Sequence, residues 1–410
     1  MTSLHGGYGR PMSGPLSGFT VVEACQMVAG PMAAMICADL GAEVVKVEAP
    51  KGGDRMRYLG HRVGGIGAMW AGVNRGKRSA VFDLQQPDGV ALLRSLVARS
   101  DVFIQNFRPG VARRLGIDEA TLRADNPGLV YVSVSGFGDS GPYVDQKSYD
   151  YVVQALSGLA SLQGGNDDPE LVRTIVIDKV TAMTAAQSIL AALLVRERTG
   201  LGQNVSLSMI DTALSFLWPD GMMQHTLLAD DGRVTPGPHM ADGYVVRRTL
   251  DGHMALMATS ERQFPGLCAA LGRPEWLTDP RFSTLEAREE NATELSALIG
   301  TAVESHSGDA LRDALRSHDV PCAVINTVDT VHLDPQVVHN ATLVEHERPH
   351  LGLVREPRPP ALFSLTPTSL GRHAPRFDEH TDEVAAELGR TSDEIADLRA
   401  RKVIGPAPSR

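Results

Sequence analysis

The chain has 410 residues, 43% of them apolar and 21% charged, with a formal net charge of −10. That size suggests two domains or one large elaborated one, and the apolar share supports a sizeable core rather than a disordered chain. The acidic balance argues against a general nucleic-acid binder, which needs a basic footprint. It leaves an anionic ligand possible only in a local basic pocket.

The opening "MTSLHGGYGRPMSGPLSG" is polar and rich in Gly and Pro, without the apolar core of a signal peptide. Strand-like and helix-like segments then alternate. "FTVVEA" reads as a strand, "AGPMAAMICADLG" as a helix ending at Gly41, and "AEVVKVE" as a second strand. "GVALLRSLVARS" reads as a helix, "DVFIQNF" as a strand, "GIDEATLRADN" as a short helix and "LVYVSVSGFG" as a further strand. The helix "YDYVVQALSGLASL" follows, then "RTIVIDKVTAMTAAQSILAALLVRERTG". There a β-branched run, Ile175-Val176-Ile177, meets Asp178 and a long apolar stretch. Strand then helix, repeated, predicts a parallel sheet with helices on its faces and ligands at the carboxyl ends of its strands.

The pattern changes after about Ser215. "RVTPGPHMADGYVVRRTLDGHMALMA" reads as β-rich, and "QFPGLCAALGRPEWLTDPRFST" and "ELSALIGTAVESHSGDALRDALRSHDV" read as helices. These place a smaller α+β domain at 225–325, after a large α/β part at 1–215 and before a C-terminal segment at 330–410. "TSDEIADLRAR" predicts a last helix capped by Thr391 or Ser392, and "GPAPSR" should fray. The longest apolar run, near Ala185 to Val195, falls short of the roughly 18 residues that suggest a membrane span. Cys25, Cys37, Cys268 and Cys322 form no C-x-x-C pair and read as buried thiols of a reducing cytosol. The expectation is a cytoplasmic protein.

Two motifs mislead. "HERPH", His346 to His350, spells the zincin motif, but Pro349 would break the helix that motif needs, so no metal site is expected. "GFGDSG", Gly136 to Gly141, spells a dinucleotide fingerprint, yet Pro142 follows and no helix opens directly. It reads as a glycine-rich turn lining a pocket. Two basic clusters, Arg75-Lys77-Arg78 and Arg108-Arg113-Arg114, are either solvated surface charge or phosphate contacts.

Asp178 has two readings. It caps a helix by accepting backbone N–H bonds, worth roughly 1 kcal/mol. Or it is a nucleophile: a carboxylate is already ionised at pH 7 and needs no general base, and a buried, rigid helix would hold it in place.

The sequence resembles the class III CoA-transferases, the group with formyl-CoA transferase, carnitine CoA-transferase and the α-methylacyl-CoA racemases. "PLSGFTVVEACQMVAGPMAAMICADLGAEVVKVEAPKGGDRMR", "NRGKRSAVFDL", "NFRPGVARRLGID", "NPGLVYVSVSGFGDSGPY", "RERTGLGQNVSLSMIDT", "GRPEWLTDPRFST", "VPCAVINTVDTVHLDPQV" and "DEHTDEVAAELG" follow in the family's order along nearly the whole chain. The resemblance implies a Rossmann-like open parallel-sheet large domain, a smaller α+β domain, and an interlocked homodimer. It places the catalytic Asp at Asp178, which would form a covalent aspartyl-CoA thioester while CoA moves from an acyl-CoA to a carboxylic acid. CoA is then a substrate, with no tightly bound cofactor, no metal, no nucleic acid and no membrane partner. By position, Val28 and Ala29 would lie against CoA; Asn106, Phe107, Arg108 and Arg114 would hold its nucleotide end. Arg75, Lys77 and Lys147 would add contacts, and Gln26, Tyr149 and His239 are candidates for the substrate pocket, with Arg247 a further guess. A racemase would pair the Asp with a His where this chain has Tyr149, a poor base at neutral pH. A non-catalytic CoA-binding protein is the other alternative. Thr181-Ala182 stands where many transferases have Thr-Gly. "TPGPHMADGY" stands in place of the glycine-rich loop of the oxalate-using enzymes, which disfavours an oxalate or formate substrate.

Overall fold

The computed structural model describes residues 14–406 except 230, 231, 233, 235, 236, 238 and 259. The opening residues 1–13 and the tail 407–410 lie outside the described residues. The backbone divides into two compact units, Met1–Trp218 with Ala341–Arg410, and Pro219–Asn340.

The first unit is built on six parallel strands: β1 (Thr20–Ala24), β2 (Glu43–Glu48), β3 (Lys77–Val81), β4 (Val102–Gln105), β5 (Val130–Ser135) and β6 (Asn204–Ser208). Their order is β3-β2-β1-β4-β5-β6, the order of a doubly wound dinucleotide-binding sheet. Val21 pairs with both Val44 and Val102, which fixes the centre of the register. Successive side chains on a strand point to opposite faces, and both faces here are apolar. One face carries Val21, Val44, Val102, Ile104, Val130 and Val132, covered by α1 (Ala29–Asp39). The other carries Val22, Val45, Phe103 and Tyr131, covered by Leu92, Leu93 and Leu96 of α2 (Pro87–Val97).

The segment read as one helix from Tyr149 is two. It forms α3 (Asp150–Leu156), then breaks at Ser157-Gly158, where Gly158 takes φ 86°, before a second short helix at Leu159–Gly164. The β-branched run before Asp178 is not a strand: α4 (Val176–Thr199) begins inside it. Burial overrides the β preference of these residues, because Ile177 is fully buried. Helix α4 packs its small residues Ala182 and Ala185 into the same core as Ala33 and Ala34 of α1, and Gly200 ends it in the left-handed region at φ 74°. By length and composition α4 could cross a bilayer, a longer span than the sequence run suggested, but 44% of its most apolar 18-residue window is buried within this unit.

Two segments read differently from their sequence. "NRGKRS" enters β3, whose five residues are all buried, and Asn204–Ser208 forms the edge strand β6, which the sequence reading did not assign. The "HERPH" segment begins on the strand Leu343–Arg348, paired antiparallel with Gly352–Pro357, and its Pro349 and His350 lie in the turn that follows. There the His346 ring nitrogen Nε2 meets Glu356 at 2.6 Å. Among the described residues no group of His, Cys, Asp and Glu is arranged to hold a metal ion. Val384 of α5 (Thr381–Glu387) and Leu398 of α6 (Ser392–Ala400) join the second face of the sheet. Thr391 caps α6 in a reciprocal capping box with Glu394.

The second unit has a three-stranded antiparallel sheet, Cys322–Val324, His253–Leu256 and Val246–Arg248 in that order. Met254, Phe264, Leu267, Ile299, Val303, Leu311 and Leu315 form its core. The sequence-based bounds of 225 and 325 both fall inside this unit.

Candidate active site

The site gathers at the carboxyl ends of β1 and β4, where the strand order reverses and a crevice opens. The turn after β1 is tied to the turn after β4 by two bonds: the Gln26 N–H donates to Asn106 Oδ1 at 2.9 Å, and Asn106 Nδ2 donates to the Gln26 carbonyl at 2.7 Å. Met27 turns the chain with φ 69°, a left-handed conformation uncommon for residues other than glycine. Helix α1 then begins. Its N-cap, Val28, contributes no side-chain bond to the free N–H groups of the first turn. One of them, the Ala29 N–H, faces the carboxylate of Asp178 and favours its ionised form.

Asp178 is the third residue of α4, half-buried. Its carboxyl is pushed up to about 7, chiefly by burial and secondarily by the nearby negative charge of Asp150, with the Ala29 bond acting in the opposite direction. Asp178 does not cap its own helix; a neighbour takes that role. The buried carboxylate of Asp150, at the start of α3, accepts the Asp178 N–H at 2.9 Å. Gln154, one turn along α3, donates to Asp150 Oδ1 at 2.5 Å and to the Val172 and Thr174 carbonyls, and accepts the Val172 N–H at 2.9 Å. Helix α3 thus clamps the chain that leads into Asp178. The sequence reading did not place Asp150 and Gln154 in the site. Their signal was an Asp and a Gln four residues apart on one helix face, directly after Tyr149.

A cavity of about 350 Å³ lies in the crevice, lined by Gln26, Glu48, Phe82, Gln85, Phe107 and Arg114 among others. Asp178 is not among its lining residues; the β1–α1 turn connects the two. Of the predicted nucleotide contacts, Phe107 and Arg114 line this cavity, and Asn106 braces its wall through Gln26. Arg108 and Lys147 are exposed, and Tyr149 is exposed with its ring stacked on Tyr151 at 6.0 Å.

For Arg75, Lys77 and the side chains of Val28 and Ala29 the structure corrects the expectation. Arg75 is buried and forms a two-pronged pair with Asp39, at 2.9 and 2.6 Å, so its guanidinium is not presented to a phosphate. Lys77 is fully buried on Glu23, the Pro31 carbonyl and Asn74, and burial pushes its ammonium down to about 8. The Val28 side chain sits in a core with Met56, Ile66 and Trp70. Ala29 is buried too, leaving its backbone N–H as the functional group. His239 belongs to the second unit, where Nδ1 accepts the Ala241 N–H and Nε2 lies 3.3 Å from the Gly221 carbonyl. Arg247, also there, bonds Ser296 at 2.8 and 2.9 Å.

The family profile of CoA-transferase family III matches residues 16–381. The chain belongs to CoA-transferase family III. A succinate–glutarate CoA-transferase of Agrobacterium fabrum is 35% identical over 385 residues, 91% of this chain and 96% of that protein. A succinyl-CoA–D-citramalate CoA-transferase of Chloroflexus aurantiacus is 34% identical, over 95% of this chain and 98% of its own. The crystal structure of a CAIB/BAIF family protein from Brucella suis superposes with a TM-score of 0.80 at 33% identity, covering 92% of this chain and all of that one. This family III chain is therefore a CoA-transferase whose substrates are CoA thioesters.

Proposed function

We propose that this enzyme moves CoA from an acyl-CoA to a carboxylic acid through a covalent thioester on Asp178. The observation that carries the reading is a carboxylate beside the N-terminus of an 11-residue helix, whose Ala29 N–H favours its ionised form, with the β1–α1 turn joining it to a cavity of about 350 Å³. In the first step an Asp178 oxygen attacks the donor's thioester carbonyl. The C–S bond breaks, CoA leaves as thiolate, and a mixed anhydride remains. The thiolate then attacks the Asp178 side-chain carbonyl and expels the donor's carboxylate, leaving an aspartyl-CoA thioester. The acceptor carboxylate attacks that thioester and expels the thiolate again, and the thiolate takes the acceptor's acyl carbon. Asp178 is restored, and no proton is gained or lost over the cycle. Each step passes through an oxyanion, for which the free N–H groups and dipole of the α1 N-terminus are suited donors. Splitting the exchange into four acyl transfers conserves the thioester's free energy.

For the acyl groups we propose short dicarboxylic acids. Support comes from the two relatives named for succinate–glutarate and succinyl-CoA–citramalate exchange. Phe107 and Arg114 would meet the nucleotide end of CoA, with Arg108 and Lys147 placed as exposed cations for its phosphates. CoA comes and goes as substrate, with no tightly held cofactor.

A homodimer fits the surface of α4. Met183, Leu190 and Leu194 are 53%, 38% and 54% exposed, spaced seven and four residues apart and so on one helix face. A second copy would cover them. Four free thiols are consistent with a reducing cytoplasm.

The test is to incubate the enzyme with succinyl-CoA, quench with hydroxylamine or borohydride, and digest for mass spectrometry. A hydroxamate or reduced residue at Asp178 is the expected product; an unmodified Asp178 during turnover would refute the mechanism. No exchange of the α-proton in heavy water is expected, in contrast to a racemase.

A further inference from the structure

Four charged side chains lie fully or almost fully buried beneath the β1–α1 turn: Glu23 on β1, Lys46 on β2, Lys77 on β3, and Asp54 in the loop after β2. Glu23 bridges both lysines at 2.6 Å each, and Lys46 reaches Asp54 Oδ2 at 3.1 Å. Buried ion pairs rarely stabilise a fold more than well-packed apolar residues would, because desolvation offsets their attraction. The further bonds of this group show where it acts. Lys46 Nζ donates to the Cys25 carbonyl at 2.8 Å, Lys77 Nζ to the Pro31 carbonyl at 2.7 Å, and Asp54 Oδ1 accepts the Met27 N–H at 3.2 Å. Those three backbone groups bracket the turn from the end of β1 to the first turn of α1. The remaining partners are the Asn74 side chain and the Met56 N–H. Asp54 is held in turn through its N–H by Glu48, which pairs with Arg57.

Met27 shows what the network works against. Its φ of 69° is one that a methionine rarely adopts, so the turn needs an outside hold. Two residues further on comes Ala29, whose N–H faces the Asp178 carboxylate and favours its ionised form; its helix packs in one core with Ala182 and Ala185 of α4. We propose that Glu23, Lys46, Asp54 and Lys77 are positioning residues for the transfer reaction. They hold the strained Met27 turn so that the start of α1 stays aimed at Asp178. The inference rests on Asp178 being the reacting carboxylate. A mould of this kind belongs to a site where a carboxylate and a helix terminus must keep one geometry through several acyl transfers.

The experiment follows the Asp178 carboxyl directly. Protein carrying 13C-labelled aspartate carboxyls is titrated by NMR, and D178N identifies the resonance. Asp54→Ser keeps an oxygen for the Met56 N–H but releases Met27 and Lys46. Loss of the Ala29 donor destabilises the ionised form, so in D54S the Asp178 midpoint should move to higher pH by at least half a unit. With succinyl-CoA and glutarate, kcat should fall tenfold or more with little change in KM. Met27→Gly, which takes the left-handed turn without strain, should return both readouts most of the way in the D54S background. A merely structural network would show lowered thermal stability and no such rescue. A folded D54S variant with an unmoved Asp178 midpoint, or a loss that M27G leaves untouched, overturns the proposal. If D54S does not fold, K46M with and without M27G makes the same comparison. The titration needs no substrate, so it separates failure of the positioning idea from failure of the covalent mechanism, which the trapping experiment reports.

Discussion

The backbone N–H of Asp178 donates to the side chain of Asp150 at 2.9 Å. One carboxylate therefore fixes the position of the other while its charge opposes the other's ionisation. Burial is the larger cause of the raised pKa, but the same neighbour bears on both position and protonation, and a substitution can separate the two.

Asp150→Asn keeps an acceptor for the Asp178 N–H and removes the charge. Asp178, raised to about 7 by burial first and by Asp150 second, should then ionise at lower pH. The acid limb of kcat/KM should move down by about one unit, with the rate above pH 8 falling less than the rate of Asp150→Ala. A pH–rate profile of the three proteins checks this. An upward or absent shift would mean that Asp150 does not act on the nucleophile through its charge.

Asp178→Asn should abolish exchange while the folded protein still binds CoA, measured by calorimetry. It should also be more stable than the parent at neutral pH. The folded Asp178 pKa lies above its ordinary value of 3.8, so the folded state holds the proton more tightly than the unfolded one. That contribution is present below about pH 4 and is lost as pH rises through 7. The variant should therefore melt higher above pH 7, by the equivalent of up to about 4 kcal/mol, and the gap should close towards pH 4. Thermal melts across that range give the sign.

Arg75 and Arg114 should separate into stability and binding. Arg75→Ala leaves Asp39 buried without its partner, a loss of about 3 kcal/mol, with KM for acyl-CoA unchanged. Arg114→Ala removes an exposed cation from the cavity wall. It should raise that KM about tenfold, near 1.4 kcal/mol, with little change in melting temperature. Steady-state kinetics beside calorimetry distinguishes the two, and the reverse pattern would return Arg75 to the phosphate site.

Gly136→Ala tests the turn after β5. A Cβ there would sit 2.2 Å from Ser148 Oγ, displacing the residues that lead into Tyr149 and Asp150. Activity should drop by about 10²-fold, the scale of an ångström's misplacement. Ser148→Gly in the same chain should recover much of it by making room. Recovery failing in a folded double variant would show that Gly136 matters for another reason.

Much of this arrangement was legible beforehand. The β1, β2, β4 and β5 strands announced themselves as short apolar runs between turn signals, and Asp178 stood out as a lone acid ahead of a charge-poor helix. Lys77 and Arg75 misled because a basic cluster looks the same whether it faces phosphate or buried carboxylates; only the positions of Glu23 and Asp39 distinguish the two. Val176 and Ile177 open α4 although they are β-branched, because the burial of Ile177 outweighs that preference. Asp150 and Gln154 were overlooked because their partners lie 18 to 28 residues along the chain.

By itself the sequence determined the alternation of strands and helices, the family, and the acid that stands at the head of the long helix, because these follow from local periodicity and ordered motifs. The tertiary structure alone decided which charges are buried in pairs, which backbone N–H meets that acid, and which second carboxylate raises its pKa. Those are relations between residues far apart in the chain, and their energies depend on distance and burial, which exist only once the sheet has closed around them.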